Sequence, residues 1–600
     1  MKCRPGIAFT VLLITLIAAP ASSPALTIGG AVRQPLNLGN EDLARFDSVT
    51  VRLNDLTRDK QFQGVFMYRG VPLRELLELA TVAKDGPGFG KSTDLALVVR
   101  NREGKRTVLS WGEVFYKNPS NVVIAYAATP VIPHHEDSCI KCHPASLYQP
   151  VLDELKRTIT YPKLVLSNDF YSDRCLEGIV SIEVVDIKAD DTIKKLAATT
   201  KDSFTITDVA GKKVKFSSLS GFSTTSVTYK EFGDGRGFHG VRHYSGAPFR
   251  DILHKVDGLQ ELDKILLLTS KDGYRSAFSF GEVFLDPLGE RLIIAELKGA
   301  SPGEKNFTLV PPDDLAADRM LKTIDTIEIL SLKEEPKVYV ISIGCADPNL
   351  ITLEAISAIG KADAFIASKE TMDKFARYLA GKPLLFDPMD NFEPRFRKKH
   401  PELSPAELKK KLEAQRAADM KKIRDALAAG KSIALLDHGD PTVYGGWQHW
   451  IEPEVAGRFE VVTGISAYNA ANALFANQKV FSGISSFDKG TQNNLLCNKG
   501  SAIISAPYSL AANEGLLKAI AESGDTLAIF MGLSDIGILE PLLKKYYPPE
   551  SPVAIAYKAG SAKEARLVRT TLGELRRVVE ANNEKQAGMI YLGNCLGGKQ

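Results

Sequence analysis

The stretch LLDHGDPTVYGG, residues 435–446, decides the fold of the C-terminal half of this 600-residue chain. An apolar run ending at Leu436 precedes Gly439-Asp440-Pro441, which predicts a buried strand followed by a tight turn. Glycine lets the backbone approach a ligand closely, and open α/β sheets bind ligands at the carboxyl ends of their strands. We therefore expect a ligand site at this turn, with the Asp440 carboxylate exposed at the strand end.

Four further motifs accompany this turn in a fixed order. They are VYVISIGCADPNLITLEAI (338–356), VVTGISAYNAANALF (461–475), TLAIFMG (526–532) and PVAIAYKAGSAKEARLVRTTLGEL (552–575). Together the five motifs resemble the tetrapyrrole methylase family over roughly residues 336–600. The resemblance implies a two-lobed α/β domain that transfers a methyl group from S-adenosylmethionine to a carbon of uroporphyrinogen, a precorrin or a cobalt-precorrin.

Carried over residue by residue, the resemblance implies a set of cofactor contacts. The expected contacts with S-adenosylmethionine are Cys345, Asp347, Gly439, Asp440, Val443, Ser466, Ala467, Met531 and Ala559. The family's first loop reads Gly-x-Gly-Pro-Gly-Asp-Pro, and Ser342, Cys345 and Ala346 replace two glycines and the proline here, which weakens close backbone approach. An acidic residue of the uroporphyrinogen-methylating branch is not reproduced at 368–370, so no catalytic residue is assigned.

The resemblance also implies partners. A tetrapyrrole is the expected substrate or ligand, and the methylase-like domain is expected to form a homodimer. The basic residues Arg395, Arg397, Lys398 and Lys399 are placed to meet tetrapyrrole carboxylates. They precede a predicted long helix over 404–430, which has Ser404 as its N-cap, Glu407 to complete a capping box and Gly430 at its end.

The chain before residue 335 contains an internal repeat. FQGVFMYRGVPLRELL at 62–77 matches FHGVRHYSGAPFRDIL at 238–253, and WGEVF at 111–115 matches FGEVF at 280–284. Such self-similarity predicts two tandem modules of one mixed α/β fold. The predicted chain is therefore α/β throughout. It has module one at 26–190, module two at 200–335 and the two-lobed methylase-like domain at 336–600.

The pattern G-x-P-x-R-x-x-L in both modules looks like the molybdopterin-binding fold of sulfite-oxidase-like proteins. That family holds molybdenum through a cysteine. No cysteine occurs between residues 26 and 138, and the second copy contains none. The likeness therefore implies the fold alone, and a molybdopterin cofactor is not expected.

An insertion in the first copy carries the motif C-x-x-C-H. Cys139 and Cys142 match the attachment pattern for c-type haem, and His143 follows as the expected iron ligand. The residues that qualify as a second axial ligand are His134, His135 and Met67. A disulfide, a metal clip and coincidence are the alternatives. A haem here would imply a redox partner protein.

The N-terminus has the pattern of an export signal. Lys2 and Arg4 precede a short apolar run, and Ser23-Pro24-Ala25 supplies small residues before a predicted cleavage after residue 25. An uncleaved membrane anchor is the alternative. Both place the protein in the periplasm or on the outer side of the inner membrane. The formal net charge of +3 gives no electrostatic footprint for nucleic acid.

Two functions follow from these patterns. The first is S-adenosylmethionine-dependent methylation of a tetrapyrrole. The alternative is an exported, haem-c-bearing redox or haem-handling protein whose methylase-like domain is a non-catalytic tetrapyrrole-binding scaffold. Export favours the alternative, because the methyl donor is made and kept in the cytoplasm.

Overall fold

The computed structural model describes most of the chain. The described residues are 25–84, 88–131, 156–189, 202–233, 237–256, 261–298, 305–333, 335–379, 381–445, 451–455, 457–477 and 501–597, with a few single positions between 144 and 153. No helix in these ranges combines the length and the apolar character that a membrane span requires.

The first unit is built from two sheets and short helices. Its elements are β1 Leu26–Gly30, β2 Leu36–Leu38, α1 Asn40–Leu43, β3 Val49–Leu56, β4 Phe62–Pro72, α2 Leu73–Ala80, β5 Leu95–Asn101, β6 Arg106–Ser110, α3 Trp111–Phe115, β7 Val122–Pro130, β8 Lys163–Leu166 and β9 Ile179–Asp186. The sheets have the orders β2-β1-β9-β5-β6 and β3-β4-β7-β8. Helix α2 buries Leu73, Leu76, Leu77 and Ala80, one face at helical spacing, in the core.

The second unit repeats this arrangement strand for strand. Its elements are β10 Phe204–Thr207, β11 Lys213–Phe216, β12 Thr225–Gly233, β13 Gly237–Pro248, α4 Phe249–Leu253, β14 Lys264–Ser270, β15 Arg275–Ser279, α5 Phe280–Phe284, β16 Ile293–Lys298, β17 Lys305–Val310 and β18 Ile324–Ser331. The sheet orders are β11-β10-β18-β14-β15 and β12-β13-β16-β17. Only the β1–β9 and β10–β18 pairs are parallel in the described part of the two units, so the units share strand direction as well as order.

A buried arginine of each unit reaches into the other. Arg174 of the first unit donates from Nη1 to Ser279 Oγ of the second at 3.2 Å. Arg319 of the second unit donates from Nη1 to Ser110 Oγ of the first at 3.3 Å. The two arginines are each 1% exposed or less, so this exchange takes place out of water.

Each buried guanidinium group is compensated by two carboxylates of its own unit. Arg174 pairs with Asp169 at 2.7 Å and Glu113 at 2.9 Å. Arg319 pairs with Asp314 at 2.6 Å and with Glu282, in the short helix α5, at 2.9 Å. A buried charge is tolerated only when it is paired and hydrogen-bonded, and both conditions are met here.

The C-terminal region forms two lobes. The first lobe contains β19 Val338–Ser342, α6 Leu353–Lys361, β20 Ala364–Ile366, α7 Lys369–Lys374, α8 Ala376–Leu379, β21 Leu384–Phe386, α9 Glu393–Lys399, α10 Pro405–Ala428, β22 Ile433–Asp437 and β23 Phe459–Val462. The second contains α11 Ala467–Asn477, β24 Ala502–Ser505, α12 Pro507–Ala512, α13 Glu514–Ser523, β25 Thr526–Ile529, α14 Ile536–Leu543, β26 Pro552–Tyr557, β27 Arg566–Thr571, α15 Leu575–Glu580 and β28 Gly588–Leu592.

The two lobes have different sheets. The first is fully parallel in the order β21-β20-β22-β19-β23, and the second is mixed in the order β24-β25-β28-β26-β27. The predicted α/β class is therefore confirmed. Helix α10 confirms the predicted long helix, since Ser404 and Glu407 form the capping box.

The first unit packs directly on helix α6. The backbone N–H of Gly30 donates to Ser357 Oγ at 3.1 Å, and Lys361 forms an ion pair with Glu183 at 2.7 Å. A Cβ on Gly29 would lie 2.8 Å from Ser357 Oγ, so this contact depends on a residue without a side chain. The helix that follows the first methylase-like loop is thus held against β1 and β9.

Replacement of Gly281 by alanine tests the arginine exchange. Its Cβ would lie 2.1 Å from Arg174 Nε, which is 1% exposed and fixed by two carboxylates. We expect Gly281→Ala to lower the free energy of unfolding by about 1–3 kcal/mol, measured by urea denaturation. Gly90→Ala is the control, because nothing lies within 4 Å of its Cβ. Equal stabilities of the two variants would contradict the close approach of Arg174.

Candidate functional site

Two neighbouring strand ends of the first lobe are joined by backbone. The N–H of Gly439, after β22, donates to the carbonyl of Gly344, after β19, at 2.9 Å. The hydroxyl of Ser342 donates to the Gly439 carbonyl. Gly344 and Gly439 have φ of +73° and +79°, a left-handed conformation that glycine adopts without strain. The first loop and the Gly439-Asp440-Pro441 turn (hereafter the GDP turn, named for its three residues) are therefore fixed against one another.

The third motif closes on the same point. A Cβ on Gly464 would lie 1.9 Å from Ser342 Oγ, so only glycine fits at this approach. The Cys345 thiol donates to the Ser466 carbonyl at 3.6 Å. Ser466 lies just before α11, and its Oγ accepts from the Asn469 N–H at 3.3 Å. Cys345 and Ser466, both predicted cofactor contacts, are thus neighbours.

The second lobe reaches the first loop through residues 559–562. The N–H of Ala562 donates to Asp347 Oδ2 at 2.7 Å. Gly560 has a φ of +93°, and a Cβ there would lie 2.4 Å from the Cys345 carbonyl oxygen. The structure therefore brings the predicted contact Ala559 beside Cys345 and Asp347, from a position more than 200 residues away in the chain.

A stacked aromatic pair joins the lobes on the GDP side. The rings of Tyr444 and Phe530 lie 4.7 Å apart and are tilted by 4°. Their chain neighbours Val443 and Met531 are 40% and 37% exposed. Both predicted contacts are therefore accessible to a ligand, and Met531 is not a core residue. The pair lies inside two of the quoted motifs, but its contact across the lobes was not foreseen.

The expectation that the Asp440 carboxylate is exposed is wrong. Asp440 is 8% exposed, and its Oδ1 accepts from the Thr442 N–H at 2.9 Å and from the Thr442 hydroxyl at 2.7 Å. The N–H groups of Val443 and Tyr444 donate to the Asp440 carbonyl. Asp440 therefore holds the turn that presents Val443 and Tyr444, because its short side chain bonds the backbone two residues on.

Two further groups are shaped by burial. Burial and the nearby charge of Asp440 raise the pKa of Asp437 to about 7, against the lowering effect of a hydrogen bond from the His438 backbone. The Oδ2 atom of Asp437 has no hydrogen-bond partner among the described residues. Burial raises the pKa of the Cys345 thiol to about 11, so it is protonated at neutral pH. Cys345 therefore fills the first loop as a neutral thiol.

Other residues singled out in the sequence have partners of their own or lie outside the described residues. Arg395, Arg397 and Lys399 are paired with carboxylates near α9. Burial raises the pKa of Cys175 to about 12, and its thiol contacts the Leu166 backbone. The expected haem residues lie outside the described residues: His134, His135, Cys139, Cys142 and His143. In the described part of the chain, no group of three or more His, Cys, Asp or Glu residues is arranged to hold a metal ion.

The cleft is built mostly from backbone groups, small residues and hydrogen bonds that fix loops. Such an arrangement is suited to aligning a bound ligand and keeping water away from it. Ser342, Gly344 and Gly439 leave the carboxyl ends of β19 and β22 free of bulky side chains. In the sheet order β21-β20-β22-β19-β23, the connections after these two strands run in opposite directions, which is where open α/β sheets bind ligands.

Comparison with known proteins finds relatives of the C-terminal region. A family model for tetrapyrrole (corrin/porphyrin) methylases matches residues 337–576. The cobalt-precorrin-4 C(11)-methyltransferase of Methanocaldococcus jannaschii is 26% identical over 268 residues, which cover 44% of this chain and 89% of that protein. The uroporphyrinogen-III C-methyltransferase of Bacillus subtilis is 26% identical over 264 residues, which cover 43% of this chain and 91% of that protein.

Solved structures match the same region. The X-ray structure of a cobalt precorrin-4 methyltransferase is 20% identical and covers 43% of this chain and 95% of its own, with a TM-score of 0.32. The uroporphyrin-III C-methyltransferase from Thermus thermophilus, complexed with S-adenosyl homocysteine, is 19% identical and covers 44% and 99%, with a TM-score of 0.28. Over 337–576, the C-terminal region of this chain therefore matches the tetrapyrrole methylases in sequence.

Proposed function

We propose that the C-terminal region transfers a methyl group from S-adenosylmethionine to a carbon of a tetrapyrrole. The observation that carries this proposal is the convergence of all five motifs on one cleft between two lobes. Cys345, Gly439 and Ser466 meet on the first lobe, and Ala559 and Met531 come from the second. The curated relatives named above are methyltransferases, which favours this function over a non-catalytic scaffold.

The chemistry asks little of acid–base groups. The methyl group of a sulfonium is already activated, so the protein has to align it with a nucleophilic carbon and exclude water. The residues of this chain support that task by position. Gly344 and Gly439 let backbone approach the donor closely, and the Tyr444–Phe530 pair covers one side of the cleft. The tetrapyrrole is proposed as the acceptor because both relatives act on such substrates.

We also propose that the protein is exported and carries a c-type haem on Cys139 and Cys142, with His143 as iron ligand. The support is the order of residues in the sequence, with an export signal before them. The two thiols would be one helical turn apart and suited to two vinyl groups. A haem in the first unit would imply a partner protein that exchanges electrons with it.

Substitution of Asp440 tests the donor cleft. Asp440→Ala removes the acceptor of two hydrogen bonds from Thr442 and frees the turn that carries Val443 and Tyr444. We expect affinity for S-adenosylhomocysteine, measured by calorimetry on the full chain, to fall roughly ten- to a hundredfold, or about 1.5–3 kcal/mol. Asp440→Asn is the matched control, because its amide oxygen still accepts from Thr442. Unchanged affinity in Asp440→Ala would remove the GDP turn from the donor site.

Glycine at position 346 tests whether the first loop keeps the family conformation. Ala346 has a φ of +66°, a left-handed conformation that costs a residue with a Cβ about 1 kcal/mol or more. We therefore expect Ala346→Gly to raise the free energy of unfolding by about 1 kcal/mol, whereas glycine usually lowers it. Ala358→Gly is the control, because Ala358 is buried within α6 and glycine in a helix should lower the free energy of unfolding. Destabilisation at both positions would show that the loop has abandoned the family geometry.

Haem attachment and export are tested together in a host that matures c-type cytochromes. We expect the periplasmic fraction to contain a chain beginning at Leu26 with one covalent haem, seen by N-terminal sequencing and a pyridine haemochrome spectrum. Cys142→Ala should lose the covalent haem, whereas Cys175→Ala should keep it, since the Cys175 thiol packs against Leu166. A colourless wild type would overturn the haem. Full-length chain confined to the cytoplasm would overturn export. It would also place the protein in the compartment that holds the methyl donor, which favours methylation.

A further inference from the structure

A second cleft lies on the second lobe, lined by residues that are not among the predicted donor contacts. It is open to solvent, has a volume of about 920 Å³, and lies between the β26–β27 hairpin and α15. The segment from Lys558 to Arg566 forms one wall, and Arg577 to Glu584 forms the other. Within the first wall, Ala562 turns its N–H to Asp347 of the donor cleft. The two clefts are therefore separated by one loop.

The lining of this cleft is basic. Its positively charged residues are Lys558, Lys563, Arg566 and Arg577. Its two carboxylates, Glu564 and Glu584, both face Lys558, at 2.7 and 4.0 Å. Lys558 is thus compensated within the cleft, and the four basic and two acidic side chains leave the lining with a net charge of +2.

Arg566 is held in place by an aromatic ring and a neutral amide, so its positive charge is not offset by any carboxylate of the described residues. Its guanidinium lies 4.9 Å from the centre of the Tyr557 ring, and its Nη2 donates to the amide oxygen of Asn582 at 2.8 Å. Neither Arg566 nor Lys563 forms an ion pair with any described residue. Arg577 pairs at 2.6 Å with Glu574, which does not line the cleft. A pre-positioned, uncompensated guanidinium beside an ammonium is suited to anionic oxygen groups.

The size and the apolar part of the lining indicate an organic ligand. A volume near 920 Å³ lies in the range of pockets that hold small molecules, well above the space that one inorganic ion fills. Val568 and Val578 supply apolar surface from the two walls. We propose that this cleft binds an organic anion that carries at least two carboxylate or phosphate groups, with Arg566 and Lys563 as its principal contacts. The proposal does not depend on methylation.

Strand β27 supplies a matched pair of variants. Arg566 and Val568 line the cleft, whereas Leu567 packs against the core cluster of the other face and Arg569 does not line the cleft. Arg569→Glu therefore makes the same change of net charge as Arg566→Glu on the opposite face of one strand. All of these side chains except Leu567 and Val568 are exposed, so both variants should keep the wild-type melting temperature.

The test is calorimetric titration of the full chain with citrate and, separately, with inorganic pyrophosphate, at a constant ionic strength set with sodium chloride. We expect wild type to bind at least one probe. Arg566→Glu, Arg566→Gln and Lys563→Glu should each weaken binding tenfold or more, and Arg569→Glu should change it less than twofold. Binding of citrate alone assigns the site to carboxylates, and binding of pyrophosphate alone assigns it to phosphates. Absence of binding to both probes, or equal weakening by Arg566→Glu and Arg569→Glu, overturns the proposal.

Discussion

The hydrogen bond from the Gly439 N–H to the Gly344 carbonyl is the contact on which the candidate site depends. It joins the loop after β19 to the turn after β22, at the point where the parallel sheet of the first lobe reverses its winding. Any side chain at Gly464 would collide with Ser342, the residue that reinforces this junction. The cleft is therefore specified by the absence of side chains as much as by their presence, and its backbone stays open to close approach by a ligand.

The second lobe adds to this junction by two different kinds of contact. On one side it uses a charge-assisted hydrogen bond, from the Ala562 N–H to the Asp347 carboxylate. On the other side it uses a stacked ring pair, Tyr444 on Phe530. The hydrogen bond is directional and orients the second lobe on the first, and the ring pair buries apolar surface between them. Together the two contacts fix the width of the cleft.

The N-terminal half depends on a different principle. Two similar units are held together by the exchange of buried arginines, and glycines Gly112 and Gly281 provide the space that the guanidinium groups occupy. A buried ion pair contributes little net stability compared with an apolar contact, but the loss of one partner is costly. These ion pairs lie within each unit, whereas the hydrogen bonds from Arg174 to Ser279 and from Arg319 to Ser110 cross between the units and orient them. Through Gly30 and Ser357 the first unit is then held against the methylase-like region, so the three parts of the chain form a continuous body.

The sequence by itself determined the classes of element and their order. The apolar run before Gly439 predicted a strand, Ser404 and Glu407 predicted the start of α10, and five motifs carried the resemblance to the tetrapyrrole methylases. These features are local, because periodicity and capping involve residues only a few positions apart. Residue-by-residue resemblance also named Cys345 and Ser466, which the structure brings into contact.

Only the tertiary structure decided what those side chains touch. Asp440 was expected at the surface, yet it is buried and bonded to Thr442, because the turn folds back over its own carboxylate. The stack of Tyr444 on Phe530 joins positions 86 residues apart, and the pairing of Arg319 with Ser110 joins positions 209 apart. No local pattern encodes such contacts, since a sequence fixes which face of an element is apolar and packing fixes which distant group that face meets.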